Sequence, residues 1–302
     1  MAAPPESAAR RRVGVLTSGL LRELHICWSF SAGDLTATVV PATTFAVAAW
    51  ASTHAGVAAL PLVLAECLVY FWLYIYTFNL SNQLTGIEED RHNKPHRPLV
   101  VGLLTPEGAK WRLVWVTAAF LALGAVLQVL EWTVLWIVAW VFHNHFGGAR
   151  ALWGKNAAMV AGTIAQLAAA WQIVTPLTPA AWTWIAAIAI PLGVLVSLQD
   201  LRDIDGDVAV GRRTAVVVFG ESTCRRFLAA AFMIYPVAMH FLVYRDAPAP
   251  AALLAVAAAL LSFVIAFRVL RRRDRRVDHT TYLLYTYWYC LTLASAVLAF
   301  AT

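Results

Sequence analysis

Nine runs of apolar residues, separated by short polar breaks, leave this chain few folds to choose from. They cover residues 28–50, 57–80, 111–129, 132–145, 156–173, 181–198, 227–243, 251–267 and 282–300. A helix that crosses a bilayer needs about 20 mostly apolar residues, and most of these runs come close to that length; the fourth is the shortest. Composition points the same way. The 302 residues are 61% hydrophobic and only 13% charged, with a mean hydropathy of +0.67, whereas soluble domains carry about 25% charged residues. The sequence therefore predicts an all-α polytopic membrane protein of nine transmembrane helices, a single transmembrane domain over 1–302 with residues 1–22 as a flexible cytoplasmic segment.

The basic residues set the orientation, because cytoplasmic loops carry the excess of Lys and Arg. Arg10–Arg12 and Arg22 precede the first run, and Arg91, Lys94, Arg97, Lys110 and Arg112 fall between the second and third. The breaks after runs four, six and eight hold Arg150 and Lys155, then Arg202, Arg212, Arg213, Arg225 and Arg226, then Arg268 and Arg271–Arg273 with Arg275 and Arg276. All lie on one side; Arg245 alone falls in an opposite loop. This puts the amino terminus in the cytoplasm and the carboxyl terminus outside. The net charge of +6 thus forms a cytoplasmic collar facing anionic lipid headgroups, and not a nucleic-acid surface. No apolar stretch precedes the first arginines, so a cleavable signal peptide is not expected. Ala, Val and Arg usage suits a high-GC bacterium, hence a bacterial cytoplasmic membrane. Cys27, Cys67, Cys224 and Cys290 have no metal-type spacing and read as packing residues.

Two cytoplasmic loops, 81–110 and 199–226, are long and hold most of the informative polar residues, while the external loops are short and Pro-rich. The two loops resemble each other. The first opens Asn82-Gln-Leu-Thr-Gly-Ile-Glu-Glu-Asp90 and turns basic at Arg91-His-Asn-Lys-Pro-His-Arg-Pro98. The second opens Asp200-Leu-Arg-Asp-Ile-Asp-Gly-Asp207 and turns basic at Gly211-Arg-Arg-Thr214.

Asp200, Asp203 and Asp207 recur at i, i+3 and i+7, and share one face of a helix that drifts only about 20° over seven residues. Three carboxylates on one face repel each other unless cations neutralise them. Mg²⁺, which binds carboxylate, water and phosphate oxygens, is the usual solution. Nearby Arg and Lys suit a diphosphate whose outer oxygens need donors. The same spacing in the first loop selects Gln83, Gly86 and Asp90, with Glu89 one step away and Asn82 a turn above Gly86.

The string Asn82-Gln-x-x-Gly-x-x-x-Asp90-Arg-x-Asn-Lys-Pro-x-Arg-Pro98 resembles the first signature of the UbiA superfamily of intramembrane prenyltransferases, NDxxDxxxD followed by a DRxNKPxRP-like stretch. Asp200-x-x-Asp203-x-x-Gly-Asp207-x-x-x-Gly-Arg-Arg-Thr214 is similar to the second. The resemblance implies helices around a central cavity, with Mg²⁺–diphosphate at its cytoplasmic mouth and the prenyl tail between helices. It further implies that Asn82, Glu89, Asp90, Asp200, Asp203 and Asp207 hold Mg²⁺, with Asp90, Asp203 and Asp207 central to catalysis. Lys94, Arg97, Lys155 and Arg212 or Arg213 would hold the diphosphate. Two positions depart from the pattern, Gln83 and Gly86, each in place of Asp. The resulting NQxxGxxED-like form resembles the terpene-cyclase branch, which ionises a prenyl diphosphate such as farnesyl or geranylgeranyl diphosphate and closes the chain on itself. Transfer of the prenyl group to an aromatic or quinone-precursor acceptor is the alternative.

A carbocation must be met by aromatic faces and not by strong nucleophiles, at ~0.5–2 kcal/mol for each cation–π contact. Tyr74 and Phe78 in the second run and Tyr285 and Trp288 in the ninth are the expected cavity rings, although such residues also form interfacial belts. Acids inside apolar segments usually face the protein interior. Asp34 starts near the cytoplasmic side, within reach of a diphosphate site. Glu66 lies about 24 Å along its helix from Asn82, too far for the metal. The His143-Asn-His145 spacing does not place both rings on one helix face, so no zinc site is expected.

Overall fold

A computed structural model describes residues 19–271 and 274–301. Arg10–Arg12, Arg272, Arg273 and most of the expected flexible segment 1–22 lie outside the described residues; 19–22 already belong to a helix. Among the described residues every regular element is helical. We number them α1 (19–31), α2 (Val39–Ser52), α3 (Leu60–Thr85), α4 (Ile87–Asn93), α5 (Pro106–Val126), α6 (Leu130–His145), α7 (Gly154–Gln172), α8 (Pro179–Leu195), α9 (Leu198–Ala209), α10 (Ala215–Phe219), α11 (Glu221–Met239), α12 (Ala249–Arg271) and α13 (Arg275–Phe300).

Local chemistry fixes several starts. Pro106 and Pro179 open α5 and α8, where a missing backbone N–H costs nothing, and the preceding Thr105 and Thr178 hydroxyls cap Gly108 N and Ala181 N at 3.1 Å. Asp274 caps α13 by accepting from Arg276 N and Val277 N. The chain folds into a closed ring in which α2, α3, α6, α7, α8, α11, α12 and α13 contact one another in turn, with α5 against α3 and α6. The short helices α4 and α9 pack together across one end of the ring, and α9 also meets α13.

The helices turn large apolar side chains outward. Only 28% of the most apolar window of α12 is buried inside the protein, and Leu253, Val256, Leu260 and Phe267 are exposed on it. In water such a face would aggregate; hydrocarbon is its natural solvent. Six helices of the described residues are long and apolar enough to cross a membrane, and a seventh span results if the bent pair Gly19–Asp34 and Val39–Ser52 counts as one. This is an integral, multi-pass membrane protein. Of the nine expected runs, 132–145 and 156–173 form α6 and α7, which fall short of that standard. The former has only 16 residues, and the latter is interrupted by Lys155, Asn156, Thr163 and Gln166.

Buried polarity is concentrated at the end of the ring where α4 and α9 lie. Arg225 of α11, 1% exposed, donates to both Asp278 oxygens at 2.9 and 2.6 Å, to Glu221 and to Val269 O. It ties α11, α12 and α13 together. Removing one partner from a buried pair strands a charge, which costs about 3–5 kcal/mol. Asp278→Ala is therefore expected to lower the melting temperature of the detergent-solubilised protein well beyond Glu88→Ala, whose ion pair with Arg91 is exposed; thermal unfolding of the two variants side by side checks this.

Candidate active site

The first acidic motif is not one helix. The α3 helix stops at Thr85, Gly86 N bonds back to Asn82 O at 2.9 Å, and α4 restarts at Ile87. The shared face expected for Gln83, Gly86 and Asp90 is therefore broken at its middle. Gly86 leaves room for this turn: a Cβ there would lie 3.0 Å from Asn82 O and 3.7 Å from Glu89 Oε2. Glu89 thus fills the space into which a residue-86 side chain would grow. Glu88 points to solvent and pairs with Arg91.

The second motif does form a single helix, α9, with Asp200, Asp203 and Asp207 on it. The two motifs meet closely. A Cβ on Gly206 would collide with the Asn93 side chain, so only glycine lets α4 and α9 approach this far.

Every one of the five expected acids is matched by a base. Arg97 donates to both oxygens of Asp90 at 2.9 and 2.8 Å and to Asn82 Oδ1 at 3.0 Å. Lys155 of α7 pairs with Asp200. Arg212 spans the motifs, 2.5 Å from Glu89 and 3.6 Å from Asp207. Lys94, from the first loop, lies 3.9 Å from Asp203 of the second, which also accepts from Arg202 at 3.1 Å. Burial lowers the Lys94 ammonium below the ordinary lysine range, and the Arg97 charge adds to this while Asp203 opposes it.

These pairs ring the mouth of a cavity of about 890 Å³. Asn82, Glu89, Lys94, Arg97, Lys155, Asp203 and Arg212 line it, while Asp90, Asp200 and Asp207 stand directly behind, almost fully buried. Arg213 is the exception among the expected basic residues. It is exposed and outside the cavity, because Arg212 takes the inward position as the chain leaves α9. No three His, Cys, Asp or Glu side chains form a preformed metal cage among the described residues, since the bases hold the acids apart. Yet Asp207 Oδ2 and Gln83 Oε1 are buried without a hydrogen-bond partner, an arrangement that normally signals a missing cation or water.

Below the mouth the walls become aromatic. Tyr74 and Phe78 of α3 line the cavity with Trp136, on which Tyr74 stacks at 4.3 Å and 3°. Gly162 makes room for Trp136, since any Cβ there would strike its ring, and accepts the Tyr74 hydroxyl at 2.8 Å. Tyr282, Tyr285 and Tyr289 of α13 form the opposite wall. Trp288, expected beside them, does not line this cavity; it turns toward α11, where it packs on Tyr235 at 4.8 Å and Phe232 at 5.7 Å.

Some lining residues were not singled out by their spacing. Asp34 lies in the wall and accepts from Asn79 Nδ2 at 2.9 Å, in keeping with its expected place by the mouth. Arg202 sits 4.2 Å over the Tyr282 ring. Gln166 of α7 closes the far end, donating to Thr38 O at 2.7 Å and accepting from Tyr289 at 3.2 Å. Nothing local marks it, because α7 carries a second glutamine, Gln172, and the partners of Gln166 lie far off in the sequence.

The UbiA prenyltransferase family model matches residues 39–300. The chain belongs to that family. UbiA relatives are similar along nearly the whole length. The somaliensene A/B synthase of Streptomyces somaliensis is 45% identical, over 91% of this chain and 93% of its own. The diterpene cyclase eriG of Hericium erinaceus is 38% identical over 92% and 90%, and the polyprenyl transferase eriF of the same fungus 34% identical over 90% and 93%. The solved structure of a UbiA homologue from Archaeoglobus fulgidus, bound to GPP and Mg²⁺, shares the fold with a TM-score of 0.63 at 12% identity, covering 85% of this chain and 96% of that one.

The close approach of α4 and α9 makes Gly206 a direct probe of the UbiA site. Gly206→Ala is expected to push Asn93 away and separate the two motifs, weakening binding of a prenyl diphosphate by about ten-fold or more, since misplacing groups by about 1 Å is that costly. Titration of the solubilised variant with a non-hydrolysable prenyl diphosphate analogue reads this out.

Proposed function

We propose that this chain is a Mg²⁺-dependent terpene cyclase of the UbiA type, which ionises a prenyl diphosphate such as farnesyl or geranylgeranyl diphosphate, cyclises the chain and releases diphosphate. The observation that carries the reading is one continuous cavity with charged pairs at its mouth and stacked rings at its depth. Full-length similarity to a terpene synthase and a diterpene cyclase supports it. Prenyl transfer to a separate acceptor is the second reading, favoured by the similarity to eriF.

The donor set fits Mg²⁺, which is usually held by one or two carboxylates together with phosphate oxygens and water, and not by a protein-only cage. Asn82, Glu89 and Asp203 offer oxygens at the mouth, with Asp90, Asp200 and the unpartnered Asp207 Oδ2 behind them. Bound there, the ion would neutralise charge growing on the diphosphate as the allylic C–O bond breaks. Lys94, Arg97, Lys155 and Arg212 hold the outer phosphate oxygens, each turning from a carboxylate it now pairs with. Tyr74, Phe78 and Tyr285 face the cation, and the apolar walls keep water from it. In the bilayer we place the charged mouth, the amino terminus and both motif loops on the cytoplasmic side of a bacterial membrane, with one transmembrane domain over 1–302 in which α6 and α7 complete nine spans.

Incubating membranes with farnesyl or geranylgeranyl diphosphate and Mg²⁺ without an acceptor is expected to yield cyclic hydrocarbons or alcohols. Turnover that begins only on adding an aromatic acceptor would overturn the cyclase reading. In the same assay Asp203→Ala should lose roughly 10²-fold or more in diphosphate release.

The inward Glu89 and outward Glu88 separate cleanly. Glu89→Gln is expected to raise the Mg²⁺ concentration for half-maximal release by about ten-fold. Glu88→Gln, which loses only an exposed ion pair, should stay within about two-fold. An equal response of the two, in a Mg²⁺ titration of diphosphate release, would remove Glu89 from the site.

A further inference from the structure

The His143-Asn144-His145 end of α6 is tied to the first acidic motif by a chain of hydrogen bonds. Asn82 Nδ2 donates to Asn144 Oδ1 at 3.2 Å, and His143 Nδ1 donates to the same oxygen at 2.7 Å. Asn144 Nδ2 donates to Ser81 Oγ at 3.0 Å, and Ser81 Oγ bonds to His145 Nε2 at 2.9 Å. This is the last of three links along α3 and α6. Below it, Tyr70 meets Thr133 at 2.8 Å and Trp136 donates to Tyr74 O at 2.9 Å. The register of the two helices is thereby fixed. Beyond α6 the chain turns sharply at Gly147, with φ 77°. Gly148 then packs on the helix end so closely that a Cβ would lie 2.8 Å from the Phe142 ring and 2.9 Å from His143 Cα.

Donor chemistry decides which atom of the Asn82 amide faces the mouth. Arg97 donates to that amide at 3.0 Å, and a guanidinium can only donate. The atom facing Arg97 is therefore Oδ1, and the nitrogen is turned to Asn144. Asn82 lines the cavity, whereas Asn144 stands behind the lining. The two partners of Asn82 thus differ in what a ligand does to them. In the reading above Arg97 turns to a phosphate oxygen and leaves Oδ1 free. Asn144 lies out of the ligand's reach and keeps its bond. It is the one partner of Asn82 Nδ2 among the described residues. Without it the amide could rotate about its broad terminal torsion and show N–H hydrogens, which repel a cation, in place of an oxygen lone pair.

We propose that Asn144 is a positioning residue of the active site: it holds the Asn82 amide by its nitrogen, so that the amide oxygen stays turned to the mouth for a divalent cation bound with the diphosphate. This rests on the prenyl-diphosphate reading above. Ser81 and His143 orient Asn144 in turn, which gives the polar end of α6 a task other than a zinc site.

The test is direct binding to the solubilised full chain. Mn²⁺ serves as the probe, titrated by electron paramagnetic resonance in the presence of a non-hydrolysable prenyl diphosphate analogue. Asn144→Leu, which removes the acceptor at similar size, is expected to weaken Mn²⁺ binding by about ten-fold, the usual cost of losing a group that orients a metal ligand. In an Asn82→Ala background the same substitution should add less than about two-fold, because the two residues act as one unit. Binding of the analogue in EDTA should change less than about two-fold, since the Lys and Arg side chains that hold phosphate are untouched. If Asn144→Leu does not fold, Asn144→Ala carries the same cycle. Mn²⁺ binding within two-fold of wild type in a folded variant overturns the proposal. So does a ten-fold loss that persists with Asn82→Ala, or an equal loss of analogue binding in EDTA, either of which would make Asn144 a general support of the fold. Failure of the wild-type chain to bind the analogue with or without Mn²⁺ overturns this proposal and the reading beneath it, whereas the other adverse results overturn this proposal alone.

Discussion

The exchange of ion pairs between the two acidic motifs is the constraint on which the site depends. Buried carboxylates are tolerated only when paired, and here the pairs cross. Lys94 of the first loop reaches Asp203 of the second, while Arg212 of the second reaches Glu89 of the first. Neither motif is electrically complete alone. The crossing holds α4 on α9 and closes one end of the ring, so the ring has an inside with a polar lid. A ligand that carries both signs, cation and polyanion together, can replace each internal pair without leaving any charge bare.

That balance also explains why the carboxylates form no cage. Three acids on one face of α9 were expected to repel, and Lys155, Arg202 and Arg212 pair with them. The same bases are the groups best suited to phosphate oxygens. In the proposed mechanism one set of side chains therefore serves the folded protein and its ligand by changing partners.

Much of this was legible in the sequence. Apolar run length announced a membrane protein, and the i, i+3, i+7 spacing placed three acids on one helix, because both follow from simple periodicity. What periodicity cannot show is where a helix stops. The break at Gly86 depends on a backbone turn, and it decides that Glu89 and not Glu88 faces inward. The choice of Arg212 over Arg213 likewise follows from the chain's exit direction after α9. Trp288 was misplaced because aromatic content along α13 says nothing about which turn faces which neighbour. Gln166 and Gly206 act through partners more than a hundred residues away, Thr38 and Asn93, so no local pattern marks them.

The bend of 77° between the first two helices has a consequence for how such a cavity can diversify. At the bend the main chain is unwound, and Gln166 bonds to the carbonyl oxygens of Ala37 and Thr38. Backbone oxygens persist through any substitution at 37 or 38, so the far end of the chamber is built partly from atoms that point mutation cannot rewrite. The rings along α3 and α13 have no such protection. Substitution can therefore reshape the sides of this chamber more freely than the backbone part of its floor.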